Sequence, residues 1–190
     1  MSNLTILAFG NFQEKNSSET LIDNFLKDQN NSNIEKKRNN SITFSYNLTE
    51  NDPTLIKIIF IKNFEKDHKI CKLANGYILL LDLEQVDCLD KLNDISQYIK
   101  LKCVSDTVNT YIIGKYNDIN NKIKSLDKNV IDNQLKKIKI MYSYHEICLN
   151  PFQNFTNLLE TIFKDILENK TNKEKKLGKP NETTSNCIIY

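Results

Sequence analysis

The stretch GYILLLD, residues 76–82, sets an unbroken apolar run between a glycine and an aspartate. Alternating strands keep one face wet, whereas a continuous run of this length reads as a strand covered on both faces. Such strands belong to parallel sheets wrapped by helices, so this run points to an α/β fold. The residues after it support that reading. Leu89, Leu92, Ile95, Tyr98 and Ile99 recur at helical spacing and predict a helix of about 13 residues.

Working outward, LTILAF at 4–9 ends at Gly10 and reads as a second buried strand. In TLIDNFL at 20–26, Leu21, Ile22, Phe25 and Leu26 repeat at helical spacing, with Ser17 or Ser18 available as the cap. Residues 29–41 are polar and charged and are expected to form an exposed loop. The runs ITFSYN at 42–47 and TLIKIIFI at 54–61 flank LTENDP, which predicts an antiparallel hairpin. TYIIG at 110–114 and KIKIMY at 137–142 complete six strands. A last helix follows, with Phe155, Leu158, Leu159, Ile162, Phe163, Ile166 and Leu167 on one stripe. The expected body is residues 1–169, a six-stranded, mostly parallel sheet flanked by about five helices. Residues 170–190 lack core-forming side chains and are expected to be a flexible tail.

With 190 residues, 39% hydrophobic and 26% charged, the chain suits one domain with an ordinary core. A net charge of +2 gives no reason to expect nucleic acid. No apolar span reaches transmembrane length, and the amino terminus lacks the features of a signal peptide, which predicts a cytosolic protein. Five scattered cysteines and two histidines give neither a disulfide framework nor zinc spacing.

In α/β folds the turn after the first strand is the usual place for phosphates. Here it reads GNFQEKNSSE. A phosphate loop G-x-x-x-x-G-K-S/T uses glycine for close backbone approach, lysine for charge and a hydroxyl for magnesium. Gly10 and Ser17 stand at that spacing, but Lys15 takes the second glycine position and Asn16 the lysine position.

Taken together, element order, spacing and the carboxyl-terminal CIIY resemble the Ras superfamily of small GTPases, most nearly its Rab branch, over about residues 4–169. The resemblance implies a P-loop NTPase-like small-GTPase fold and a GTP/GDP switch with magnesium, working at membranes. It aligns Gly10, Lys15, Asn16 and Ser17 with the phosphate loop, Ser17 being the magnesium ligand. It aligns KYND at 115–118 with the guanine motif, Asp118 accepting from the base while Lys115 and Tyr116 replace its asparagine and lysine. The last base-contacting loop would be SYH, placing Ser143 and His145 there. Phe60, Asn63 and Phe64 fall where the magnesium-linked aspartate, the glycine and the water-positioning glutamine would stand, and no threonine occurs in the first switch before Thr43. Phosphoryl transfer requires neutralised charge and an oriented water. With those groups replaced, hydrolysis is not expected, and nucleotide binding is weakened or lost. The plainer readings are a turn residue at Asp118, a helix cap at Ser17, a polar loop residue at His145 and core or surface-patch residues at Phe60 and Phe64.

The ending CIIY has cysteine at the fourth-last position and two aliphatic residues after it, the pattern of a prenylation signal on Cys187. The alternative is an unmodified thiol. Lys170, Lys173, Lys175, Lys176 and Lys179 precede it and favour an anionic lipid surface. The sequence therefore predicts a monomer at the cytosolic face of a membrane, meeting effector or trafficking proteins. It acts either as a guanine-nucleotide switch or as a nucleotide-independent interaction module.

Overall fold

The computed structural model describes residues 2–10, 22, 25–26, 33–38, 40–48, 53–61, 73–102, 109–116, 128–138, 142–148 and 155–177. Its strands are β1 (Ser2–Phe9), β2 (Asn33–Arg38), β3 (Ser41–Tyr46), β4 (Thr54–Ile61), β5 (Gly76–Asp82), β6 (Thr110–Tyr116) and β7 (Tyr142–Cys148). Three helices are described end to end, α1 (Cys88–Lys102), α2 (Lys128–Ile138) and α3 (Phe155–Leu177). Ile22, Phe25 and Leu26 are helical and buried, as their spacing predicts. The strands form one sheet in the order β2-β3-β4-β1-β5-β6-β7. Every pairing from β4 to β7 is parallel, while β3 runs antiparallel to both β2 and β4. The result is a mixed, mostly parallel α/β sheet.

Both faces are covered because the strand sequences make them so. On one face Ile6, Ala8, Ile58, Ile78, Leu80 and Ile113 pack under α3 and the helical residues Ile22, Phe25 and Leu26. On the other, Leu7, Phe9, Tyr77, Leu79 and Ile112 pack under α1 and α2. Successive residues alternate between the two clusters, as the two-residue period of a strand requires. Gly76 sits beneath α3 where a Cβ would lie 2.5 Å from Ile166 Cδ1, so the missing side chain lets that helix approach the sheet.

Three expectations are corrected. Residues 33–38, expected within a loop, form the edge strand β2, because residues opposite β3 can satisfy their backbone there whatever their side-chain polarity. The exposed Arg38 keeps a charge on that edge, and the register shifts between Ile34 and Lys36, two devices that discourage further pairing. The last strand lies at 142–148 rather than 137–142. Ile131 and Leu135 bury one face of α2, which carries the helix through Ile138 and pushes the strand later. Helix α3 continues to Leu177, past the expected boundary at Asn169. The Lys170 ammonium donates to the Asn3 carbonyl at 2.6 Å, a tie that holds the added turns to β1, while the Thr171 hydroxyl bonds back within the helix to the Leu167 carbonyl at 2.9 Å.

Candidate functional site

Strand β1 is flanked by β4 on one side and β5 on the other. The chain leaves β1 toward the β3–β4 hairpin and, after β4, crosses to β5. The boundary between β1 and β5 is therefore a topological switch point, where ligands of open α/β sheets settle at the carboxyl ends of the strands. A cavity of about 160 Å³ opens there. Leu81 and Ile95 from the cluster under α1 and α2 form its apolar part, Leu80 borders it from the strand, and Asp82, Gln85, Lys91 and Asp94 supply the polar groups. Gly10, directly after β1, and Cys88, at the start of α1, complete the wall.

Beside the cavity lies a buried ion pair. Asp82 ends β5, Lys115 lies opposite it in the register of β6, and the ammonium stands 2.5 Å from Asp82 Oδ2. The side chains are 8% and 3% exposed, so both charges are out of water and depend on each other. The backbone closes around them. Glu84 N–H donates to Asp82 Oδ1 at 3.1 Å, and Leu83 N–H donates to the Lys115 carbonyl at 2.9 Å. Lys91 is engaged as well, donating to Gln85 Oε1 at 2.7 Å and pairing with Asp87 at 2.9 Å. Asp94 is exposed on α1, and its carboxylate makes no ion pair among the described residues. Among the described residues, Asp82 and Asp87 are thus taken up by Lys115 and Lys91, and Asp94 stands outside both pairs.

Burial and the nearby Asp82 carboxylate push the Cys88 thiol up to about 12. It is neutral at physiological pH, a packing group rather than a nucleophile. Among the described residues no cluster of three metal-ligating side chains occurs, and no helix is long and apolar enough to cross a membrane.

Of the residues singled out in the sequence, the structure places Gly10 in this cleft. Ser143 and His145 do not join it. Both lie within β7, opposite Tyr111 and Ile113, because the strand begins later than its apolar pattern suggests; they occupy no base-contacting loop. Phe60 is buried in the core under α3, in agreement with its plainer reading. Lys15, Asn16, Ser17, Asn63, Phe64, Asp118 and Cys187 lie outside the described residues.

Asp82, Gln85, Lys91 and Asp94 were missed by sequence reasoning. The available signal was a carboxylate closing one apolar strand and a lysine closing the next. A scan against protein-family models matches none, and no curated protein matches the chain. The fold itself is a general α/β architecture, compatible with a P-loop NTPase and also with other doubly covered sheets.

Proposed function

We propose that the chain is a Ras/Rab-like regulatory module held at the cytosolic face of a membrane by a prenyl group on Cys187. It works in vesicle traffic or signalling by binding effector proteins, without a tight guanine-nucleotide site. The observation that carries the nucleotide part is the charge at the carboxyl edge. A triphosphate needs unengaged cations and backbone donors. Among the described residues, Lys115 is held by Asp82 and Lys91 by Asp87 and Gln85, so neither ammonium is offered to a phosphate. The membrane part rests on CIIY and the lysines before it. One prenyl chain gives reversible attachment, and a basic segment strengthens it on anionic lipid.

The competing reading is a nucleotide switch, favoured by Gly10 standing at the end of β1 and lining the cleft. The two part on nucleotide content. Freshly purified full-length protein, with magnesium present, should carry no guanine nucleotide and show no saturation by GDP up to about 100 μM, weaker than about −5.5 kcal/mol. Stoichiometric GDP or GTP would replace the proposal with the switch. Expression in a eukaryotic cell should leave the wild type partly on membranes and Cys187→Ser in the soluble fraction. Equal partition of the two would remove the anchor.

A further inference from the structure

We propose that the cleft between β5 and α1 binds a small organic cation, its apolar body against Leu81 and Ile95 and its charged head on Asp94 at the rim. This does not rest on membrane attachment or on the loss of nucleotide.

Size comes first. A dry apolar cavity of about 150 Å³ holds a benzene-sized body, and this one measures about 160 Å³. It is too small for a nucleoside with its phosphates but large enough for a single ring or a short alkyl chain. The lining then divides by chemistry. Strand β5 contributes Leu81, α1 contributes Ile95, and neutral Cys88 adds no charge. Polar groups converge from one side, as in ordinary small-ligand sites.

Charge decides the sign of the ligand. Asp82 is already matched by Lys115, and Lys91 by Asp87. Asp94 is the lining carboxylate without an ion-pair partner among the described residues. An anion entering the cleft meets Asp94 and finds Lys91 engaged. A neutral ring gains only apolar contact. An ammonium or amidinium head pairs with Asp94 without disturbing either ion pair of the described residues, and its stem covers Leu81 and Ile95. Such a head reaches the cleft from a free metabolite or from the lysine or arginine side chain of a partner.

The test uses full-length protein with methyl groups of leucine and isoleucine labelled for NMR. Benzamidinium is the probe, with benzoate and benzyl alcohol as anionic and neutral analogues of the same shape. Benzamidinium should shift the Leu81 and Ile95 methyls, and not those of Leu80 on the opposite face of the sheet, with a dissociation constant of about 1 mM or tighter. Asp94→Asn, an exposed helix position, should weaken it about tenfold or more while leaving benzyl alcohol binding unchanged. Benzoate binding as well as benzamidinium would overturn the proposal. So would an Asp94→Asn variant that binds as the wild type does, or shifts confined to other methyls. Pentylammonium and N-acetyl-arginine methylamide then distinguish the sources. Tighter binding of pentylammonium assigns a free metabolite, and tighter binding of the capped arginine assigns a partner's side chain. Binding by none of the cations overturns the assignment.

Discussion

The two faces of the sheet are built to different standards. Under α3, Phe25 meets Phe163 at 5.9 Å and Phe44 at 6.4 Å between ring centroids, and Phe44 meets Phe163 at 6.2 Å. Two tyrosines clamp that helix to the sheet, the Tyr46 hydroxyl donating to Glu160 and the Tyr111 hydroxyl to Asp165. Under α1 and α2 the packing is less complete. That side borders the cavity and holds the Cys88 thiol, and the Ser96 and Thr110 hydroxyls are buried there without a hydrogen-bond partner among the described residues. Buried hydroxyls without partners cost stability, and unfilled volume forfeits dispersion contacts. The contrast teaches that the α3 face carries the stability of the molecule, whereas the α1 face tolerates defects next to the cleft.

Removing a ring or a branched chain breaks or sharpens this contrast most directly. Phe163→Ala should destabilise by about 3–5 kcal/mol in urea denaturation, because two aromatic neighbours, Phe25 and Phe44, lose a partner. Ile95→Ala, already beside open volume, should cost about 2 kcal/mol, the low end for its class. Equal losses would abolish the distinction between the faces. Lys115→Met lies at the cleft edge and leaves Asp82 buried without its partner, at a cost of about 3 kcal/mol or more. The double variant with Asp82→Leu should recover most of that loss, since two apolar chains replace a desolvated pair. Failure to recover would show that the charges themselves organise the edge.

A smaller effect compares two glycines, one on each face. A Cβ at Gly76 would lie 2.5 Å from Ile166 Cδ1, and one at Gly114 would lie 2.8 Å from Leu83 Cδ1 and from the Tyr144 hydroxyl oxygen. Gly76→Ala should cost about 2 kcal/mol and Gly114→Ala about 1 kcal/mol, measured by urea midpoints at constant slope. The reverse order would mean that the α1 face is the stiffer one.

The smallest effect is the pH response. Burial first, then the Asp82 carboxylate, raises Cys88 from 9.0 to about 12. Burial followed by their carboxylate partners raises Tyr46, Tyr111 and Tyr144 as well. A raised pKa on a group that is neutral when protonated means that the folded state keeps its proton longer than the unfolded chain. Its stabilising contribution is complete below the unfolded pKa and disappears as pH climbs through the folded one. Stability should fall from pH 9 to pH 12, with tyrosinate absorbance appearing together with loss of helical circular dichroism. Tyrosinate developing fully in a folded protein would contradict the burial of these hydroxyls.

Much of the fold was legible because burial writes itself into local composition. GYILLLD spans the observed β5, TLIKIIFI spans β4, and the hairpin between β3 and β4 follows its turn residues. The misses have local causes. KIKIMY alternates like a strand, yet Ile138 belongs to a helix anchored by Ile131 and Leu135. NIEKKR looks like loop but pairs at an edge, where backbone bonding does not require apolar side chains. The site was less legible. Gly10 stood out through its place after a strand, whereas Ser143 and His145 depended on a register that the helix before them shifted.

The sequence by itself determined an α/β protein with a buried, mostly parallel sheet and one antiparallel hairpin. Apolar period and turn chemistry are local properties, and they survive without knowledge of neighbours. Only the tertiary structure decided that Asp82 and Lys115, 33 residues apart, become one buried pair, and that Asp94 borders the same cavity. Those facts depend on which strands lie side by side and in what register. A charged residue acquires its chemical role from the charges packed around it, and that environment is assembled by folding.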